Sequence, residues 1–137
     1  MTATIRAVEY FYVMVKDRPG AAYELLSHLA AAEVNLLAFN AIPTGPEHTQ
    51  LVLFPEKVEL LIKAAEKAGL RLMGPERAFL IQGDDRLGAI AEIHRRLLDA
   101  QINVYASSGV TDGRGGYGYI LYVKADQFRS AALVLGA

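Results

Sequence analysis

The 137-residue chain has no cysteine and no tryptophan. Without cysteine there are no disulfides and no thiolate metal sites, which removes the disulfide-framed secreted class. An excess of one charge is missing too. Fourteen Lys and Arg face 15 Asp and Glu, with residues 1–74 carrying 7 basic against 8 acidic groups and residues 75–137 carrying 7 against 7. Neither half offers the basic surface that supplies most of the affinity for nucleic acid. No apolar run approaches the roughly 20 residues that span a bilayer. Thr2, Thr4, Arg6 and Glu9 interrupt any signal-peptide layout. The expectation is a soluble, cytoplasmic protein with no membrane partner and no implied cofactor. What is present is apolar content, 53%, enough for a core in one domain or two small modules.

The chain repeats itself. A shift of 68 residues lays Asp17–Phe39 over Asp85–Ser107 without a gap, and nine of the 23 positions agree: Asp17/Asp85, Arg18/Arg86, Gly20/Gly88, Ala21/Ala89, Glu24/Glu92, Leu29/Leu97, Ala32/Ala100, Asn35/Asn103 and Ala38/Ala106. That period is too long for a solenoid and has the size of a duplicated module. The turn-forming pair Gly74-Pro75 separates the copies, giving modules 1–74 and 75–137. So short a connection predicts modules lying side by side.

Each copy reads as strand, helix, strand, strand, helix, with a last strand in the first copy. Residues 8–16 are β-branched and aromatic, and their near-continuous apolarity predicts a strand buried on both faces. Asp17 is placed to cap a helix that Pro19 opens, burying Ala22, Leu25, Leu26 and Leu29. Strands follow at Val34–Ile42 and Thr49–Phe54. A helix opened by Pro55, with the stripe Val58, Leu61, Ile62 and Ala65, is closed by Gly69 before a short strand Leu70–Met73. In the second copy the order is strand Ala78–Gln82, helix Gly88–Gln101 with Ile90, Ile93 and Leu97 inward, strands Ile102–Thr111 and Tyr117–Lys124, and a helix capped by Asp126. Only Leu133–Ala137 remain for a final strand, so the second module is expected to lack a full one and to leave a sheet edge open. The fold class is α+β: two ferredoxin-like βαββαβ modules.

Function must come from residues, since this fold hosts many. Each copy ends its first strand in Asp-Arg-x-Gly and enters a helix at once. A helix start leaves N–H groups unpaired and partly positive, which suits a carboxylate. Gly20 and Gly88, lacking Cβ, let a ligand approach the turn closely. Asp17 or Asp85 can pair with an ammonium group. Asn35 and Asn103, at the start of a strand expected beside the turn, offer a donor and an acceptor. An anion site, an acid and an amide together suit an α-amino acid. Ordinary capping and turn chemistry accounts for each feature singly.

The combination of a hydrophobic strand, DRPG at 17–20, a helix with Leu25 and Leu29, and EVNLLAF at 33–39, repeated as DDRLG at 84–88, Ile93, Leu97 and QINVYA at 101–106, resembles the ACT domain family, in particular its paired-domain members. The resemblance implies βαββαβ modules associating through their sheets, with an amino acid held between modules. Its binding residues would be Asp17, Arg18, Pro19, Gly20, Ala21 and Asn35, and Asp85, Arg86, Leu87, Gly88, Ala89 and Asn103. It implies a homodimer and a regulated enzyme or regulator in trans, since the chain carries no further domain.

Two other classes compete with this reading. GGYGYILY at 115–122 resembles the octapeptide of the RNA-recognition motif, with Tyr117 and Tyr119 on one strand face to stack bases. Gly115 stands where that signature needs a cation. An enzyme would need a constellation: His28, His48 and His94 occupy unrelated repeat positions, Ser107-Ser108 lack a base, and Asp84-Asp85 are merely adjacent. The Gly-rich 109–118 stretch lacks the ending of a nucleotide loop and reads as a hairpin. The sequence therefore points to a non-catalytic amino-acid sensor, with RNA binding as the alternative.

Overall fold

The computed structural model describes residues 3–137. Its elements are β1 (Thr4–Lys16), α1 (Ala21–Ala31), β2 (Leu36–Pro43), β3 (His48–Pro55), α2 (Val58–Ala68), β4 (Met73–Asp84), α3 (Ala89–Asp99), β5 (Ala106–Thr111), β6 (Gly116–Tyr122) and α4 (Ala125–Leu135). They form two compact units, one of Glu9–Glu76 and one joining Arg77–Ala137 to the described part of Met1–Val8. The sequence repeat assigns the N-terminal residues to the first module, whereas they cluster with the second unit.

In the first unit β2, β3 and β1 lie in that order. Both pairings are antiparallel, with Phe11 opposite Leu53 and Phe39 opposite Leu53 across the ladders. Phe11, Val13, Leu25, Leu29, Leu51, Leu53 and Leu61 make the core under α1 and α2. In β1 the buried residues of this unit are Phe11 and Val13, while Met14 is exposed. The strand thus buries one face fully and the other in part, through half-buried Tyr10 and Tyr12, so the expected burial on both faces is incomplete. In α2 Ala64 takes the buried place expected of Ile62, which is 40% exposed.

The second unit orders β4, β6 and β5, again antiparallel. Its core gathers Phe79 and Ile81 of β4, Ile93 and Leu97 of α3, Tyr117, Tyr119 and Leu121 of β6, and Phe128, Ala131 and Leu135 of α4. Among the described residues no strand follows α4. Instead the opening of β1 serves this unit: Ala3 and Ile5 pack on its core, Thr4 Oγ1 donates to the Gln82 carbonyl at 3.3 Å, and a Cβ on Gly83 would lie 3.1 Å from that of Ala3. In the first unit the opening of β4 has the matching role, where a Cβ on Gly74 would meet the Tyr10 carbonyl at 3.0 Å and the Phe11 ring at 3.3 Å. Gly74-Pro75 therefore lies within β4 and makes no turn; of the expected strand Leu70–Met73 only Met73 is in β4, which runs on through the expected Ala78–Gln82. The edge expected to be open is the one that residues 3–8 serve.

All four helices leave by one device. A residue at positive φ follows the helix, Glu33 (60°), Gly69 (68°), Gln101 (58°) and Gly136 (75°). The next N–H reaches back five residues: Val34 to Leu29, Leu70 to Ala65, Ile102 to Leu97 and Ala137 to Ala132, each at 2.9 Å. This is the Schellman arrangement, and its apolar contact is present as Val34 against Leu29 and Ile102 against Leu97 in the two cores.

Candidate ligand-binding cleft

The turn before each first helix differs from the sequence expectation in three ways. Gly20 and Gly88, not Asp17 and Asp85, are the N-caps of α1 and α3, both left-handed at φ 86° and 82°, and no side chain caps either helix. Lys124 stands at the N-cap of α4, with Asp126 in its first turn, and Lys57 rather than Pro55 precedes α2. A Cβ on Gly88 would meet nothing within 4 Å and one on Gly20 only Glu24 Oε2 at 4.0 Å. The positive backbone angle requires glycine at both positions. Gly88→Ala and Gly20→Ala are each expected to lose about 1–2 kcal/mol in chemical denaturation, the cost of a Cβ in the left-handed region. A variant as stable as the parent would show that the turn does not need that angle.

The third difference concerns the asparagines. Asp17 N–H donates to the Glu47 carbonyl and Asp85 N–H to that of Gly115, both at 2.8 Å, so each turn is tied to the hairpin end of its unit. Asn35 and Asn103 follow the other end of α1 and α3, each helix having 11 residues, about 16 Å of rise. There the Asn35 carbonyl accepts from Glu56 N–H at 2.8 Å, and Asn103 N–H donates to Gln127 Oε1 at 3.3 Å. Within a unit the structure brings Asp17–Ala21 together, and Asp85–Ala89 together, but neither group with its own asparagine.

The second unit holds a cleft of about 740 Å³ between this turn and the β5–β6 hairpin. Asp85 to Ala91 form one wall, Gly109 to Thr111 the other, and Tyr117 and Tyr119 the floor. A helix start leaves four N–H groups without intrahelical partners. At α3 the Ala89 N–H donates to the Arg86 carbonyl at 3.1 Å, leaving those of Gly88, Ile90 and Ala91 as the donors of the cleft. Burial holds the Tyr117 phenol above its ordinary pKa, with the Arg86 guanidinium pulling the other way. Tyr119 Oη lies 2.6 Å from His94 Nε2, a pair that the sequence did not single out because no motif joins the two residues.

The hairpin beside the cleft is closed by Asp112. Its Oδ1 accepts from Arg114 N–H at 2.6 Å and Gly116 N–H at 3.0 Å, and these bonds hold the carboxyl below the usual aspartate range. A depressed carboxyl stabilises the fold above its unfolded pKa, about 3.9, and the contribution disappears as pH falls through the lower folded value. Acid titration followed by NMR is expected to give Asp112 a pKa below that of free aspartate; an ordinary or raised value would contradict the bonds.

The repeat-equivalent turns also differ in charge. In the first unit Arg18 and Glu24 form two hydrogen bonds, at 2.9 and 3.1 Å, which hold the Glu24 carboxyl below its usual range. In the second, Glu92 faces Arg95 at 3.9 Å, and Arg86 has no carboxylate within 4 Å among the described residues. Ser27 stands where the second copy has Arg95, so Glu24 lacks a cation one turn on and reaches back to Arg18.

Tyr117 and Tyr119 share a face, as the alternating strand requires, yet that face is the core side and each ring is 7% exposed. The base-stacking role expected of them in the RNA-binding alternative is thereby overturned. Among the described residues no cluster of His, Asp and Glu could hold a metal ion, and no helix is long and apolar enough to cross a membrane.

No family model matches the chain, and no curated protein matches it. Solved structures do. Protein BT0572 from Bacteroides thetaiotaomicron superposes with a TM-score of 0.81 at 13% identity, over 96% of this chain and 88% of that one. The regulatory subunit of aspartate kinase from Thermus thermophilus, in its ligand-free form, gives 0.67 at 14% identity, over 98% and 94%. The same subunit from Thermus flavus gives 0.63 at 11%, over 99% and 95%. At these identities the likeness is one of fold, and with the element order above it makes this chain an α+β protein of ferredoxin-like, ACT-type architecture.

Proposed function

We propose that the chain is a non-catalytic regulatory protein that senses a free amino acid. The observation that carries this is the cleft of the second unit, where Gly88, Ile90 and Ala91, at the start of α3, line one wall with Asp85 and Arg86 above the rings of Tyr117 and Tyr119. The ligand carboxylate accepts from the backbone N–H groups at that helix start, with Arg86 adding charge at the same end. Asp85 pairs with the ammonium. The matching turn of the first unit, Asp17 to Ala21, offers a second place of the same kind. Asn35 and Asn103 enter only as contacts from another copy. The fold-level likeness to regulatory subunits of aspartate kinase supports a regulatory over a catalytic reading.

Association of two copies belongs to this reading. β5 ends its unit's strand order and is exposed at every residue, so its outer edge is free to pair among the described residues. A ligand favouring one packing of such a seam shifts the equilibrium by no more than its difference in affinity for the two arrangements. The signal would pass in trans to an enzyme or regulator, with the protein working in the cytoplasm.

The test is a thermal-shift screen against the twenty amino acids, with a short RNA pool at two salt concentrations as the comparison. A ligand at a hundredfold excess over its Kd adds about 2.7 kcal/mol. One amino acid or a few related ones should raise the midpoint. A flat amino-acid panel would overturn the reading, and salt-sensitive stabilisation by RNA alone would replace it.

A further inference from the structure

We infer that the second-unit cleft selects an amino acid with an uncharged, apolar side chain, and that His94 is the positioning residue that sets its floor. The inference rests on the reading of that cleft as an amino-acid site and names its ligand class.

The charged residues lining the cleft, Asp85 and Arg86, stand together at the turn. Away from them the lining holds no charged side chain: Ile90, Ala91, Gly109 and Val110 are apolar, and Thr111, Tyr117 and Tyr119 add only hydroxyls. A ligand held by its carboxylate and ammonium at the turn directs its side chain along that apolar part. There a lysine or aspartate side chain finds no partner of opposite charge, whereas an aliphatic or aromatic one covers Val110, 75% exposed in the free protein.

The floor depends on one unusual contact. Tyr119 lies opposite Gly109 on the β5–β6 ladder, and a Cβ on Gly109 would come within 2.6 Å of Tyr119 Cδ1. The ring leans over the glycine, into space that any other residue would fill. Its hydroxyl is bound by His94 of α3 at 2.6 Å, with the two rings edge to face at 5.8 Å. At the repeat-equivalent positions the first unit has Leu26 for His94, Ala41 for Gly109 and Leu51 for Tyr119, with Ala41 opposite Leu51. The leaning ring, the missing Cβ and the anchoring imidazole are thus a matched set that the second copy has and the first lacks. Tyr119 supplies the surface, Gly109 the room, and His94 the orientation.

The experiment is isothermal titration of the full chain with L-leucine, L-phenylalanine, L-lysine and L-aspartate. L-leucine or L-phenylalanine is expected to bind at least about tenfold more tightly than L-lysine and L-aspartate. His94→Leu should weaken the better apolar probe by about tenfold, with His94→Gln, which keeps a hydrogen-bonding group, restoring most of the affinity. Gly109→Ala should weaken it by a similar factor. Circular dichroism checks that each variant is folded; if Gly109→Ala is not, the His94 pair decides alone. No binding of any of the four, with a flat twenty-member panel, means that the amino-acid reading itself fails. Tighter binding of L-lysine or L-aspartate leaves that reading standing and overturns the ligand class. Equal affinities of His94→Leu, His94→Gln and the parent for the apolar probe overturn the positioning role.

Discussion

A chain beginning at Glu9 will keep its first unit folded and lose about 2–3 kcal/mol from the second. The removed stretch carries Ala3 and Ile5, which pack on the second core, and Thr4, whose hydroxyl reaches the Gln82 carbonyl. Fully burying one Ile side chain is worth about 1.5–3 kcal/mol, and Ile5 is partly buried. Its loss also bares the side of Gly83 and the β4 ladder that residues 3–8 cover. Both effects fall on one unit of some 60 residues, where total stability is a few kcal/mol and margins are narrow. Amide exchange followed by mass spectrometry should show protection falling across 77–84 and 116–122 while 48–55 stays protected. Unchanged protection in both stretches, together with an unchanged denaturation midpoint, would show that the N-terminal segment is dispensable. Loss across both units would show that they do not unfold separately.

That segment also marks where the sequence could be read and where it could not. The repeat was legible because helix faces are set locally, and the same nine residues recur at one shift. From Leu25, Leu29, Ile93 and Leu97 the helix cores follow directly, as does the lack of a strand after α4. What supplies the second unit's missing strand was not legible, because Thr4–Val8 continue directly into Glu9–Lys16, and one uninterrupted strand gives no sign that its halves serve different cores. Gly74-Pro75 misled for the matching reason: a pair that elsewhere makes a turn lies inside the extended β4.

The candidate site divides in the same way. Asp85 and Arg86 were legible from the Asp-Arg-x-Gly spacing, and Gly88 too, although its left-handed angle was not. The asparagines were misplaced because a strand that follows a helix starts beside its C-terminal end, and 11 residues of helix, about 16 Å, separate that end from the turn. His94 and Tyr119 are 25 residues apart, and only the fold brings them together. The aromatic strand Tyr117–Tyr122 suggested base stacking because alternation fixes which residues share a face and leaves open whether helices cover it. Here α3 and α4 cover it.

Phe79→Ala is expected to cost about 3–5 kcal/mol, the usual range for a buried phenylalanine whose site cannot collapse. Phe79 is fully buried, and its ring stacks on Phe128 of α4 with centroids 4.4 Å apart and planes 5° from parallel. The arrangement is fixed from both sides: Leu121 lies opposite Phe79 on the β4–β6 ladder, and the Arg77 guanidinium sits 4.1 Å above the Phe128 ring. Burial decides the magnitude, since an aromatic pair adds only about 0.5–1.5 kcal/mol beyond its area. Arg77→Ala, which removes a cation from the outer face of the ring, should cost far less. A double-mutant cycle of Phe79→Ala with Phe128→Ala separates the pair from the burial, with a coupling within that smaller range. The consequence reaches the cleft because α4 braces α3: Arg96 Nη2 donates to the Val134 carbonyl at 2.9 Å. Amide exchange in the Phe79 variant should therefore rise first in α4 and then in α3, ahead of β6. A loss below about 1.5 kcal/mol would mean that the core closes around the deleted ring, and α4 would then be held by Ala131 and Leu135 without the stacked pair.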